Sequence, residues 1–268
     1  MPIPASFDLS GRVAVVTGAG SPDGIGFATA RLLAELGAAV MISATTSRVH
    51  DRVSELRGAG FDVAGVSADL TDAGAAAGLV SAALDQWRRL DILVNNAGMI
   101  SAAVPVFEAG TVAAMDLATW QAALARNLTT AFLVTKAALP AMTNRRWGRI
   151  VMVSSVTGPV MAIHADAGYA AAKAGMVGLT RAAAVDAAGH GITVNAVAPG
   201  WIATGSQTPE ERDQGLATPA GRSGTAGEVA AAIAWLASPG ASYITGQYMV
   251  VDGGNSIAEQ RAIQRSGA

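Results

Sequence analysis

The stretch Val13-Ala14-Val15-Val16-Thr17-Gly18-Ala19-Gly20-Ser21-Pro22-Asp23-Gly24-Ile25-Gly26 decides the fold. An unbroken β-branched and small apolar run is followed by a glycine-rich turn, and an apolar helical pattern begins at Ile25. A short run without alternation is a strand buried on both faces. A glycine turn between such a strand and a helix lets backbone N–H groups approach an anionic group, where the helix N-terminus adds partial positive charge. Side chains at the glycines would block that approach. An ordinary glycine-rich turn is the lesser alternative for the segment taken alone.

The same alternation runs outward along the chain. Expected strands are Ala39–Ile42, Val63–Val66, Ile92–Val94, Ile150–Val153, Ile192–Val197 and Gln247–Val251. Expected helices are Ile25–Leu36, His50–Arg57, Ala75–Arg88, Trp120–Met142, Tyr169–Ala188 and Glu228–Leu236. Near-continuous Val/Ile strands alternating with helices imply an α/β fold: one doubly wound parallel sheet with helices on both faces. No composition shift marks a linker, so residues 1–268 are expected to form a single domain. Pro105–Met115 and Trp201–Gly224 read as loops, and Ser256–Ala268 as a polar tail.

Composition narrows the function. Charged residues make up 14% of the chain and hydrophobic residues 51%, which argues against disorder. The net charge of -2, without a basic stripe, argues against nucleic acid. No uncharged apolar run approaches the roughly 20 residues of a membrane span. Neither a signal peptide nor another address is evident, so the expected compartment is the cytoplasm. Cysteine is absent, and His50, His164 and His190 do not stand at metal-ligand spacing, so no metal site is expected.

Motifs follow the strands at the edge where open α/β sheets bind ligands. Asp69-Leu70 follows the third, Asn95-Asn96-Ala97-Gly98 the fourth, and Pro199-Gly200-Trp201-Ile202-Ala203-Thr204 the sixth. Each alone is also common turn chemistry. Tyr169 and Lys173 stand four apart on one helix face. A nearby ammonium favours the phenolate and would bring a tyrosine below its ordinary value of ~10. The chain has two lysines and three tyrosines, so chance yields this spacing in roughly 2% of such sequences. Ser155, after the fifth strand, could donate to a substrate oxygen, with Ser154 as its rival. Asn127 interrupts an otherwise good helix former pattern.

Together these motifs resemble the classical short-chain dehydrogenase/reductase family from Gly11 to about Gly254. The closing stretch, with Thr245-Gly246 and Asp252-Gly253-Gly254, is similar to its 3-oxoacyl reductase branch. The resemblance implies an oxidoreductase that exchanges a ketone and a secondary alcohol by hydride transfer. Asn127, Ser155, Tyr169 and Lys173 would be catalytic, with Tyr169 as acid and base and Asn127 in a water-held proton relay. The cofactor would be held by Gly18, Ser21, Asp23, Gly24, Ile25, Asp69, Leu70, Asn96, Ala97, Gly98, Tyr169, Lys173, Pro199, Gly200, Ile202 and Thr204. Five residues separate Gly18 from Gly24 where the family usually has three, a departure that bears on the phosphate contacts.

By the resemblance, the position that decides between NAD and NADP is Ala44 rather than an acid, and it is followed by Thr45, Thr46, Ser47 and Arg48. Hydroxyls and a guanidinium suit a 2′-phosphate, so Thr45, Ser47 and Arg48 favour NADP(H). Asp23 argues toward NAD(H), which stays possible, and Arg48 could instead be a solvated helix start. Substrate candidates are Ser155, Met161, His164 and Trp201, with Pro105, Val106 and Phe107 as apolar lining; a solvated loop is the alternative for His164. The expected ligand is a small apolar carbonyl or alcohol. A sugar, polyol or hydroxysteroid dehydrogenase using NAD is the alternative, and a non-catalytic dinucleotide-binding protein a further one. Arg126, Arg145 and Arg146 do not form a convincing acyl-carrier surface. Residues about 201–222 resemble the family's substrate lid. Members commonly assemble as homotetramers, or as homodimers.

Overall fold

The computed structural model describes residues 3–98 and 109–259. Seven parallel strands form its centre: β1 (Val13–Val16), β2 (Ala39–Ala44), β3 (Val63–Ser67), β4 (Ile92–Asn95), β5 (Gly148–Val153), β6 (Ile192–Pro199) and β9 (Tyr248–Val251). Their order is β3-β2-β1-β4-β5-β6-β9. The chain winds from β1 to β3 in one direction and returns to place β4 beside β1. The crevice between β1 and β4 is therefore the topological switch point.

Helices α1 (Ile25–Glu35), α2 (Arg48–Gly58) and α8 (Ala226–Leu236) cover one face. Helices α3 (Ala73–Trp87), α5 (Thr130–Arg145) and α6 (Ala167–Ala187) cover the other. Successive side chains of β1 divide between the two cores: Ala14 and Val16 pack under α1 and α8, and Val15 under α3 and α5. That split is the period of two expected of a strand buried on both faces, and explains why β1 shows no polar alternation.

Two expectations change. The run from Trp120 to Met142 is not one α-helix. Helix α4 (Leu117–Leu124) passes through a π-helical turn at Ala125–Thr129 before α5 begins. Residues 201–224 are not simply loop either. They contain α7 (Pro209–Leu216) between two short strands, β7 (Ile202–Ala203) and β8 (Gly224–Thr225), which pair in parallel. Thr208 and Glu211 form a reciprocal capping box with Pro209 in the first turn, so local chemistry starts α7 despite the glycines and prolines around it. Among the described residues no helix is long and apolar enough to cross a membrane. Pro105, Val106, Phe107 and the tail from residue 260 lie outside the described residues.

Candidate active site

The glycine turn and the Asn95–Gly98 segment interlock across the switch point. Asn96 donates from Nδ2 to the carbonyl oxygens of Thr17 and Gly18, each at 3.0 Å. The Thr17 hydroxyl oxygen accepts from the amides of Asn96 (3.0 Å) and Ala97 (2.9 Å). A Cβ at Gly26 would lie 2.5 Å from Asn96 Nδ2 and 2.6 Å from the Gly18 carbonyl. Gly18 has a φ of +69°, and its Cβ would stand 2.8 Å from Ala97 Cα. These glycines are required by the close approach of the two loops. Thr17 was missed in the sequence, although a threonine ending a buried apolar strand was a usable signal.

Helix α1 starts at Gly24 with no side-chain cap and no acidic residue in its first turn, so its first N–H groups face the crevice without an internal carboxylate partner. Helices α3, α4, α7 and α8, in contrast, are capped by Asp72, Asp116, Thr208 and Thr225. A cradle lined by glycine, with uncapped helix donors, fits a pyrophosphate. In the lengthened turn the Ser21 hydroxyl donates to Asp23 Oδ1 (2.9 Å), and a Cβ on Gly205 would meet Asp23 Oδ2 at 2.7 Å. The insertion therefore reaches the start of the 201–222 segment.

The end of β2 lies beside this turn: Ala19 N–H donates to the Ser43 carbonyl (2.8 Å). Thr45, Ser47 and Arg48 follow it on the exposed start of α2. Arg48 Nε makes a long hydrogen bond of 3.4 Å to the Thr46 hydroxyl. Asp69 accepts from the amide and hydroxyl of Thr71 (3.0 and 2.8 Å), and Leu70 is buried. On the other side, Val156 N–H donates to the Pro199 carbonyl (3.1 Å), Gly200 N–H to the Val251 carbonyl (3.0 Å), and Thr204 Oγ1 pairs with Ser206 Oγ (3.1 Å). Ile202 lies in β7. All these residues line the carboxyl edge of the sheet.

Tyr169 sits in the first turn of α6 and Lys173 one turn later, with Lys173 Nζ 5.5 Å from the tyrosine ring centroid. Lys173 is almost fully buried and donates from Nζ to the Val153 carbonyl at 2.9 Å. Burial pushes Tyr169 up to about 12, partly offset by a hydrogen bond with Ser155, and the charges of Asp166 and Glu211 raise it further. Burial also brings Lys173 down to about 8. The expectation that the ammonium lowers the tyrosine is thus corrected for the protein alone: burial raises Tyr169, and the lowering contribution comes from Ser155 rather than Lys173.

The two serines separate clearly. Ser154 donates its hydroxyl to the Lys173 backbone carbonyl (2.9 Å) and braces α6. Ser155 Oγ accepts from Thr157 N–H (3.1 Å) and faces Tyr169. The backbone carbonyl of Ser155 accepts from the hydroxyl of Tyr248 on β9 at 2.7 Å, a tie absent from the sequence reading. Asn127 is 1% exposed at the centre of the π turn and donates from Nδ2 to the Ala123 carbonyl (3.1 Å). A Cβ on Gly98 would lie 2.7 Å from Asn127 Oδ1 and 3.4 Å from Lys173 Nζ, which places β4, the π turn and α6 together. π turns recur at functional sites because one extra residue re-aims the side chains around it.

Among the substrate candidates, Met161 is half-buried, with Asn255 Nδ2 3.6 Å from its sulfur. Trp201 is half-buried, and its indole Nε1 is shut off from solvent without a partner. His164 is exposed on the loop before α6. Among the described residues no cluster of three metal-ligating side chains occurs.

Comparison with known proteins agrees with this geometry. A family model described as enoyl-(acyl carrier protein) reductase matches residues 18–256. The cis-4-hydroxycyclohexanecarboxylate dehydrogenase of Sinomonas cyclohexanicum is 43% identical over 247 residues, 91% of this chain and 96% of that protein. The 3-oxoacyl-[acyl-carrier-protein] reductase of Vibrio cholerae is 40% identical over 251 residues, 92% and 98% of the two chains. A candidate gluconate dehydrogenase from Agrobacterium tumefaciens superposes with a TM-score of 0.86 at 35% identity, covering 95% of this chain and all of that one. A nicotinamide dinucleotide oxidoreductase acting on small CH–OH or carbonyl compounds is what fold, motifs and relatives support in common. The chain belongs to the short-chain dehydrogenase/reductase family, in its 3-oxoacyl-reductase-like branch.

Proposed function

We propose that this enzyme is an NADP(H)-dependent ketone reductase in which Tyr169 transfers the proton, and that its working form is a single-domain cytoplasmic protein assembled as a homotetramer. The observation that carries the catalytic reading is a chain of contacts: Asn127 and Lys173 meet at Gly98, the Tyr169 ring lies 5.5 Å from Lys173 Nζ, and Tyr169 is hydrogen-bonded to Ser155.

In this reading Gly18, Ser21, Asp23, Gly24 and Ile25 surround the pyrophosphate, and Thr45, Ser47 and Arg48 take the 2′-phosphate. Asp69 and Leu70 border the adenine; Asn96, Ala97 and Gly98 carry the wall between the loops; Pro199, Gly200, Ile202 and Thr204 border the nicotinamide. The bound dinucleotide supplies the hydride. Ser155 Oγ and the Tyr169 hydroxyl hold the carbonyl oxygen, and Tyr169 protonates it as charge develops. Lys173 steadies Tyr169 and the ribose, and Asn127 would hold the water through which a proton moves to Lys173. With its value raised to about 12 by burial, Tyr169 carries its proton at neutral pH, the form needed to protonate a carbonyl oxygen.

The test is an activity screen of small ketones, 4-oxocyclohexanecarboxylate included, with NADPH and NADH in parallel. The reading expects NADPH to exceed NADH by at least tenfold in kcat/KM on some ketone. Equal use of both, or turnover confined to NADH, contradicts the cofactor assignment. A polyol or sugar dehydrogenase is the second reading, supported by the likeness to the Agrobacterium protein.

A further inference from the structure

Asp166 stands immediately before α6, where a carboxylate ordinarily caps the first N–H groups. It caps none, unlike Asp72 and Asp116 ahead of α3 and α4. The residue is 6% exposed, and its Oδ1 is closed off from solvent with no hydrogen-bond partner. Among the described residues no cation pairs with it. The nearest ammonium in the site, Lys173, is engaged by the Val153 carbonyl. A buried polar group without a partner is uncommon in a native fold and calls for a ligand or a function.

The backbone delivers Asp166 to this position under strain. Ala165 has a φ of +58°, a conformation unfavourable for alanine. Gly110 N–H donates to the Ala165 carbonyl at 2.8 Å, and a parallel bridge joins Gly110 to Asp166. Such strain persists where surrounding structure enforces it, and it concentrates at functional sites. Three residues later comes Tyr169, close enough for the Asp166 charge to act on its hydroxyl. Burial alone raises the carboxyl to about 6.

Resting on the ketone-reductase reading above, we propose that the Asp166 carboxyl is a specificity group that accepts a hydrogen bond from a donor, a hydroxyl or an ammonium, carried by the substrate near its reacting carbonyl. A buried acceptor rejects an analogue lacking the donor, because the acceptor is then left unpaired in the complex. The same carboxyl disfavours substrates that place a carboxylate there. The preferred substrates are therefore hydroxy or amino ketones, and the purely apolar ketones suggested by the sequence come second.

The experiment measures kcat/KM with NADPH for cyclohexanone, 3- and 4-hydroxycyclohexanone, 4-aminocyclohexanone and 4-oxocyclohexanecarboxylate, in the full-length wild type, Asp166→Asn and Asp166→Ala. The quantity read is each ratio to cyclohexanone within one variant, so an overall loss of rate cancels. In the wild type, the ratio for at least one hydroxylated or aminated ketone should be tenfold or more, carried by KM. In Asp166→Ala it should collapse to within threefold of unity. Asp166→Asn, isosteric and serving if the alanine variant does not fold, should keep most of a hydroxyl preference, lose an ammonium preference, and raise the carboxylate ketone's ratio at least fivefold. Which arm moves identifies the donor. A flat wild-type ratio, or ratios unchanged by Asp166→Ala, overturns this inference while leaving the ketone reading standing. No turnover with any ketone overturns both.

Discussion

Lys173 donates from Nζ to the carbonyl oxygen of Val153 at 2.9 Å, so the lysine of the catalytic helix is tied to the last residue of β5. Two further bonds reinforce the junction: Ser154 Oγ to the Lys173 carbonyl at 2.9 Å, and the Tyr248 hydroxyl to the Ser155 carbonyl at 2.7 Å. Replacing Lys173 with Met fills the same volume without the charge. The expected outcome is a fall in kcat of at least 100-fold and weaker nucleotide binding, measured by steady-state kinetics and by fluorescence titration with NADPH. A variant within a fewfold of wild type on both measures would remove Lys173 from the site.

Gly98 is the point where β4 meets Asn127 and Lys173. Gly98→Ala places a methyl 2.7 Å from Asn127 Oδ1 on a backbone at φ +154°. The clash should push the Asn127 amide aside and cost about 1–3 kcal/mol of stability. The rate should fall at least tenfold more than nucleotide affinity does, which separates damage at the relay from general unfolding. Thermal melts alongside kcat and NADPH titrations check this.

Arg48 opens α2 shortly after the end of β2, directly following Thr45, Thr46 and Ser47 in the chain. If it receives the 2′-phosphate, Arg48→Ala should reduce kcat/KM for NADPH by about 10- to 100-fold, the scale of one charge-assisted bond. The value for NADH should change little. Equal losses for both cofactors would place Arg48 outside phosphate recognition.

Asp166 has a folded-state value of about 6 against an ordinary 3.8, raised by burial. The native state therefore holds a proton that the unfolded chain releases between these two values. The associated stability is complete below about pH 4 and is lost as pH rises through 6. Asp166→Asn removes this dependence. Its melting temperature should gain on that of the wild type by a few degrees between pH 4.5 and pH 7.5. A constant difference across that range would contradict the buried, unpaired carboxyl.

The sheet was legible because Val13–Val16, Ile150–Val153 and Ile192–Val197 carry long β-branched runs that only a doubly covered strand accommodates. The Tyr169–Lys173 face was legible because both lie on one side of a regular helix. The π turn at Asn127 was not, since Ala125–Thr129 has ordinary helical composition and its extra residue is set by packing against Gly98 and α6. Helix α7 was legible in principle: Thr208-Pro209-Glu210-Glu211 spells a capped start, masked by the loop-like residues around it. Asp166 was invisible in the sequence because an aspartate before a helix normally caps it. Only tertiary packing shows that this one does not. The resemblance alone selects Ser155 over Ser154; the structure adds what Ser154 does instead, a hydrogen bond to the Lys173 carbonyl.

Kinetics and NADPH titration of Tyr169→Phe test the central claim most directly. Removing the hydroxyl leaves the ring to pack beside Lys173 and deletes only the proton that meets the carbonyl oxygen. The account predicts a loss of kcat of at least 1,000-fold, with the dissociation constant for NADPH within about threefold of wild type. Turnover within tenfold of the wild-type rate would contradict it.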